Sequence, residues 1–187
     1  MPAAGDSTKS DERRRAIVAA AIDCFAHKGF YGTTTHEVAE WVGVSQPYLY
    51  RLYPNKEALF AAVVDQVSVV MTESLTAHPQ ANGAETALDA ARDAYAALVA
   101  NRNVLRFLMH ANCAAGEPLI GQAVRRCYAK QVDTVRRLLG DDEDVRHWFG
   151  AGMLDNVVAV LGLDDIDEPW AHVLRSPTRD GSGKERR

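Results

Sequence analysis

The chain lacks the features that mark several large classes of protein. In its 187 residues no apolar run approaches the roughly 18 to 20 residues that a membrane span requires, so no membrane partner is expected. The opening residues Met1-Pro2-Ala3-Ala4-Gly5-Asp6 do not have the charged-then-apolar order of a secretory signal, and a cytoplasmic location is expected. Only three cysteines occur, Cys24, Cys113 and Cys127. They are odd in number and scattered, which excludes a disulfide framework, and the absence of a Cys-x-x-Cys pair removes the usual zinc ligand set. They read as small buried hydrophobes, with redox sensing at Cys113 or Cys127 as the alternative. A Gly-rich phosphate loop, a carboxylate pair and a nucleophile–base set are missing as well. His36-Glu37-Val38-Ala39-Glu40 has the outline of a metalloprotease helix, but its second histidine is replaced by Glu40, so two-histidine zinc geometry fails. Neither an enzyme nor a cofactor is expected.

What the chain does have is helical periodicity throughout, with no alternating run that would make a strand. Its net charge of −4 is uneven: residues 1–60 carry seven basic and seven acidic side chains, whereas residues 61–187 carry fourteen and eighteen. An acidic body repels phosphate, so any nucleic-acid face belongs on the neutral N-terminal part.

Local signals divide that part into short helices. Ser10, followed by Asp11 and Glu12, is a cap for a first helix that Gly29 stops. Thr34-Thr35-His36-Glu37 fits a capping box for a second helix, ended by Gly43. Ser45 caps a third, with Pro47 tolerated in its first turn, and Pro54 halts it. Asn55 caps a fourth of roughly 24 residues along Leu59, Val63, Val67 and Leu75. Later helices are expected at about 84–101, 103–114, 117–140, 143–163 and 168–175, with polar tails at 1–9 and 176–187. Asp164-Asp165-Ile166-Asp167-Glu168 reads as a solvated linker.

Two short capped helices joined by Gly43-Val44-Ser45 have the proportions of a helix-turn-helix, in which the second helix enters the major groove. Gln46, Tyr48, Tyr50 and Arg51 occupy its outward positions. Thr35 sits in a helical first turn suited to phosphate, and Lys56 supplies a nearby cation.

These residues carry a specific resemblance. The run Phe25-Ala26-His27-Lys28-Gly29-Phe30-Tyr31-Gly32-Thr33-Thr34-Thr35, then Val38-Ala39, Gly43-Val44-Ser45 and Leu49-Tyr50-Arg51-Leu52-Tyr53-Pro54-Asn55-Lys56-Glu57-Ala58-Leu59, resembles the N-terminal domain of the TetR family of regulators over about 50 residues. The resemblance implies an all-α homodimer in which an N-terminal three-helix domain (10–55) binds double-stranded operator DNA. It also implies a helical-bundle domain (56–175) that binds a small-molecule effector and dimerises. By position, Tyr50 and Lys56 match the family's phosphate-contacting pair and Thr35 its second-helix phosphate contact, while Ser45, Gln46, Tyr48 and Arg51 match groove-facing slots. Pro47 departs from the small residue common there and makes that contact apolar or absent.

Tyr95, Phe107, Met109, His110, Cys127 and Tyr128 are candidate lining residues of an effector pocket, or plain core. Trp148, Phe149, Gly152, Met153, Val157 and Val160 form the expected dimer face of the 143–163 helix, packed beside 117–140. Repression relieved by an effector is the expected mode, with a dimeric small-ligand-binding protein of the same fold that does not bind operator as the alternative.

Overall fold

The computed structural model describes residues 4–76 and 101–175, residues 4–11 by their helical backbone alone. Every regular element among them is a helix: α1 Ala4–Gly32, α2 Thr35–Trp41, α3 Gln46–Leu52, α4 Lys56–Thr76, α5 Arg102–Cys113, α6 Pro118–Leu139, α7 Asp142–Leu161, a 3-10 turn Leu163–Asp165, and α8 Pro169–Arg175. The expected helix at 84–101 and the tail 176–187 lie outside the described residues.

Local caps set most of these ends. Thr34 and Glu37 form the reciprocal capping box of α2, and the Ser45 hydroxyl accepts from the Tyr48 amide at the start of α3. Asp141 accepts from the amides of Glu143 and Asp144 to start α7, which Gly162 ends in the left-handed region. The helix α1 begins at Ala4, upstream of the expected start at Ser10, so residues 4–9 are helical rather than a frayed tail. A capping side chain marks a start only where the residues ahead of it break the helix, and no proline lies between Ala4 and Ser10.

Gly29 does interrupt α1. Its φ of 66° and ψ of −172° belong to a region essentially closed to other residues, and the chain turns there before a last helical stretch to Gly32. The kink presses Gly29 against α5: a Cβ added to it would lie 2.6 Å from Nδ1 of His110.

One apolar core runs through the molecule without a break at residue 56. It joins Ile17, Phe25 and Phe30 of α1, Val38 and Leu49 of α2 and α3, Leu59 to Val67 of α4, Phe107 of α5 and Ile120 to Cys127 of α6. At its centre the Phe60 ring lies 4.8 Å from Phe25, 5.4 Å from Phe30 and 4.9 Å from Phe107, centroid to centroid. A smaller cluster of Leu75, Val135 and Val145 closes the far end of the bundle. By length and composition α4 is apolar enough to cross a membrane, contrary to the sequence expectation. Leu59, Phe60, Val63, Val64 and Val67 are all buried in the core, as suits a helix that is apolar on most sides because other helices surround it.

The ends of the elements are also tied over long distances. The Glu57 carboxylate accepts from the Leu119 amide at 2.6 Å, capping α6, whose own N-cap Glu117 makes no side-chain cap bond. Tyr31 donates to Glu117 at 3.0 Å, Asn103 of α5 donates to Asp23 of α1 at 2.9 Å, and Arg126 pairs with both oxygens of Asp65.

Gly29→Ala should lower stability by about 2 to 4 kcal/mol, combining a disfavoured backbone with the clash against His110. Adding His110→Ala should recover the clash component alone, which urea unfolding of the single and double variants resolves.

Candidate nucleic-acid interface and an apolar cleft

The polar residues singled out in the sequence around α2 and α3 fall on one surface, joined by hydrogen bonds. Thr35 Oγ1 lies 2.9 Å from the Tyr50 hydroxyl and accepts from Gln46 Nε2 at 2.9 Å, so one threonine at the start of α2 pins two side chains of α3. Leu49 is the buried anchor of α3, while Ser45, Pro47, Tyr50 and Arg51 are exposed and Gln46 and Tyr48 half-buried. The turn between the two helices is tight because Gly43 takes a φ of 69°.

Charge gathers around Tyr48. The Arg51 guanidinium sits 4.7 Å from the centre of its ring, and that of Arg13 sits 5.3 Å from it. Arg14 lies 5.9 Å from the Tyr53 ring. Neither Arg13 nor Arg51 has a carboxylate partner among the described residues, so both keep their charge available to an anion. The sequence reading did not single out Arg13. Its signal was the run Arg13-Arg14-Arg15 on α1, which acquires a place beside α3 only when the helices pack.

Lys56 is placed differently from the phosphate contact expected of it. Its ammonium donates to the carbonyls of Phe30 at 2.7 Å and Thr33 at 2.9 Å and lies 4.4 Å from the centre of the Phe30 ring. It thus satisfies backbone oxygens left over where α1 ends. Close by, Glu37 accepts from the Lys28 ammonium at 2.6 Å and from the backbone and hydroxyl of Thr34. These bonds, the one from Lys28 foremost, lower its carboxyl from 4.5 to about 2.

A second feature lies in the body of the molecule. A cleft with about 830 Å³ of open space, its mouth included, is walled by α4, α5, α6 and α7. Its lining includes Met71, Leu108, Asn112, Cys127, Tyr128 and Gln131. Cys127 and Tyr128 were expected at a pocket. Phe107 instead packs fully buried against Phe60, His110 abuts Gly29, and Met109 is half-buried outside the lining. Tyr95 lies outside the described residues. Trp148, Phe149, Gly152 and Met153, expected at a dimer face, line this cleft from α7, while Val157 and Val160 are half-buried further along it. The helix α7 is apolar on more than one side, and its periodicity does not say which side meets its own chain. Burial raises the Cys127 thiol, and Cys113, expected to be buried, is exposed.

Residues 17–63 match the family described as bacterial regulatory proteins, tetR family. The chain is 44% identical over 55 residues to the HTH-type transcriptional regulator RutR of Escherichia coli K12, covering 29% of this chain and 26% of that protein. Over 62 residues it is 34% identical to the HTH-type transcriptional activator FasR of Mycolicibacterium smegmatis, covering 33% and 28%. These matches span about a quarter of the length of the curated relatives. The whole fold is similar to a candidate TetR-family regulator from Mesorhizobium loti, at a TM-score of 0.63 and 25% identity, covering 89% of this chain and 91% of that one. It is also similar to a tetR-family regulator from Streptomyces coelicolor, at a TM-score of 0.64 and 22% identity, covering 88% and 76%.

Two outcomes follow from this geometry. Lys56→Ala should cost about 1.5 to 3 kcal/mol of stability, because two carbonyls lose a charged donor. A phosphate contact alone would leave urea unfolding unchanged. Because the Glu37 carboxyl is lowered on folding, its contribution is complete above about pH 4.5 and fades as pH falls toward 2. Glu37→Gln should therefore flatten the acid limb of a pH–stability curve between those values.

Proposed function

We propose that the chain is a TetR-family regulator, matched through residues 17–63, that binds double-stranded operator DNA as a homodimer and represses transcription until a small effector enters the α4–α7 cleft. The observation that carries the DNA-binding reading is the joined surface of α2 and α3, in which Thr35, Gln46 and Tyr50 are hydrogen-bonded and Arg51, stacked on Tyr48, has no carboxylate partner among the described residues.

Each residue takes a role that its placement supports. Arg51 reaches a base edge, with guanine as the bidentate partner, and Pro47 and Tyr48 pack against the groove. Ser45, Gln46, Thr35 and Tyr50 hold phosphate oxygens through hydroxyl and amide groups. Arg13 adds a cation from α1. Lys56 acts indirectly, by fixing the end of α1 on which the reading helix is braced.

Dimerisation is supported by apolar side chains left exposed on α7 and α8: Met153, Leu161, Trp170 and Val173. A two-fold pair of reading helices about 34 Å apart suits an inverted repeat. Release by the effector rests on α4, which borders the cleft through Val64, Met71, Ser74 and Leu75 and begins beside the reading helix. Effector and operator then weaken each other by the same factor.

Selection of bound duplexes from a random library at physiological salt should enrich an inverted repeat. On that repeat Arg51→Ala should lose about 1 to 3 kcal/mol and relax one position of the half-site. Affinity should fall steeply with salt. A folded dimer that enriches no sequence would sink the operator reading, and a single unrepeated half-site would sink the two-fold arrangement.

A further inference from the structure

The α4–α7 cleft carries more information than its apolar walls. Gln131 of α6 and Asn156 of α7 both line it, and they are only 3% and 8% exposed. Each has a carbonyl oxygen, Gln131 Oε1 and Asn156 Oδ1, that is buried without a hydrogen-bond partner. For Gln131 the assignment of oxygen and nitrogen is settled by its surroundings. Its amide nitrogen donates to the Ser68 carbonyl at 3.1 Å and to Thr72 Oγ1 at 3.0 Å, and Thr72 itself donates to Ser68, so the other end of the amide must be the oxygen.

An unpaired buried acceptor is costly, and native structures contain few of them. Two on the walls of one cleft mark where a donor is wanted. The remaining polar groups of the described lining are neutral: Ser74, Asn112 and Tyr128, besides the indole of Trp148 and the thiol of Cys127. No Lys, Arg or His stands among the described lining residues, and a carboxylate, which can only accept, has no proton to give the two carbonyl oxygens. Trp148, Phe149, Met153, Met71 and Leu108 supply apolar contact for the rest of the molecule.

We infer that the ligand of this cleft is an apolar molecule whose polar end is an N–H or O–H donor, an alcohol or amide rather than a carboxylate, held by the carbonyl oxygens of Gln131 and Asn156. This rests on the effector reading of the cleft and adds the chemistry of the ligand to it.

The test compares three probes sharing one apolar chain, decanamide, 1-decanol and decanoate, titrated calorimetrically into the full chain near neutral pH, where decanoate is ionised. Decanamide and decanol should bind at least about tenfold more tightly than decanoate. Asn156→Leu, which replaces the amide by an apolar group of similar size, should weaken decanamide while narrowing its advantage over decanoate. Decanoate binding as well as the amide, or no probe binding at all, would overturn the inference. An unchanged decanamide affinity in Asn156→Leu would overturn the assignment of that oxygen. The same probes added to a protein–operator complex separate the two readings. Donor-selective binding that leaves operator affinity unchanged keeps the ligand chemistry and removes the regulatory role.

Discussion

The contact on which the rest of the structure depends is the meeting of aromatic rings around Phe60. A ring from α4 touches two from α1 and one from α5, so the helices that brace the reading unit and those that wall the cleft share one close-packed centre. The α3 helix has a single buried anchor, Leu49, and is only seven residues long. It cannot hold its own orientation, and the surface it presents is set by the frame behind it. Because that frame is continuous with the body, displacement of α4 or α5 has no soft boundary in which to dissipate.

The first two residues of α4 show how tightly the parts are joined. Lys56 satisfies carbonyls at the end of α1, and its neighbour Glu57 satisfies an amide at the start of α6. Helix ends leave unpaired groups that something must meet. Here two consecutive charged side chains of opposite sign meet the ends of two different helices, one on either side of the supposed domain boundary at residue 56.

The features legible in the sequence are those with local causes. The capping box at Thr34, the turn at Gly43 and the cap at Ser45 each need only a few neighbouring residues, and all appear where the chain alone places them. The matched run of residues 17–63 is legible for the same reason. The backbone bonds of Lys56 were not legible because its sequence neighbours do not show that its ammonium meets a carbonyl 26 residues away. Arg13 was missed because its partner ring belongs to another helix. That Trp148 and Phe149 line the cleft was not legible, because periodicity reveals an apolar stripe but not the neighbour that covers it. The orphaned oxygens of Gln131 and Asn156 have no sequence signature at all, since being unpaired is a property of the packed surroundings.

The two guanidiniums stacked on Tyr48 bear on recognition in a further way. Arginine is among the side chains with most rotational freedom to lose, and fixing such a side chain at an interface costs about 0.5 to 1.5 kcal/mol. A planar group already resting on an aromatic ring has surrendered part of that freedom before any duplex arrives. The same ring, held half-buried at the start of α3, also sets the guanidinium of Arg51 against its own flat face. Tyr48 is thereby a template for the arginine, and in the proposed operator complex the sharpness of sequence preference would depend on a residue that need not touch a base.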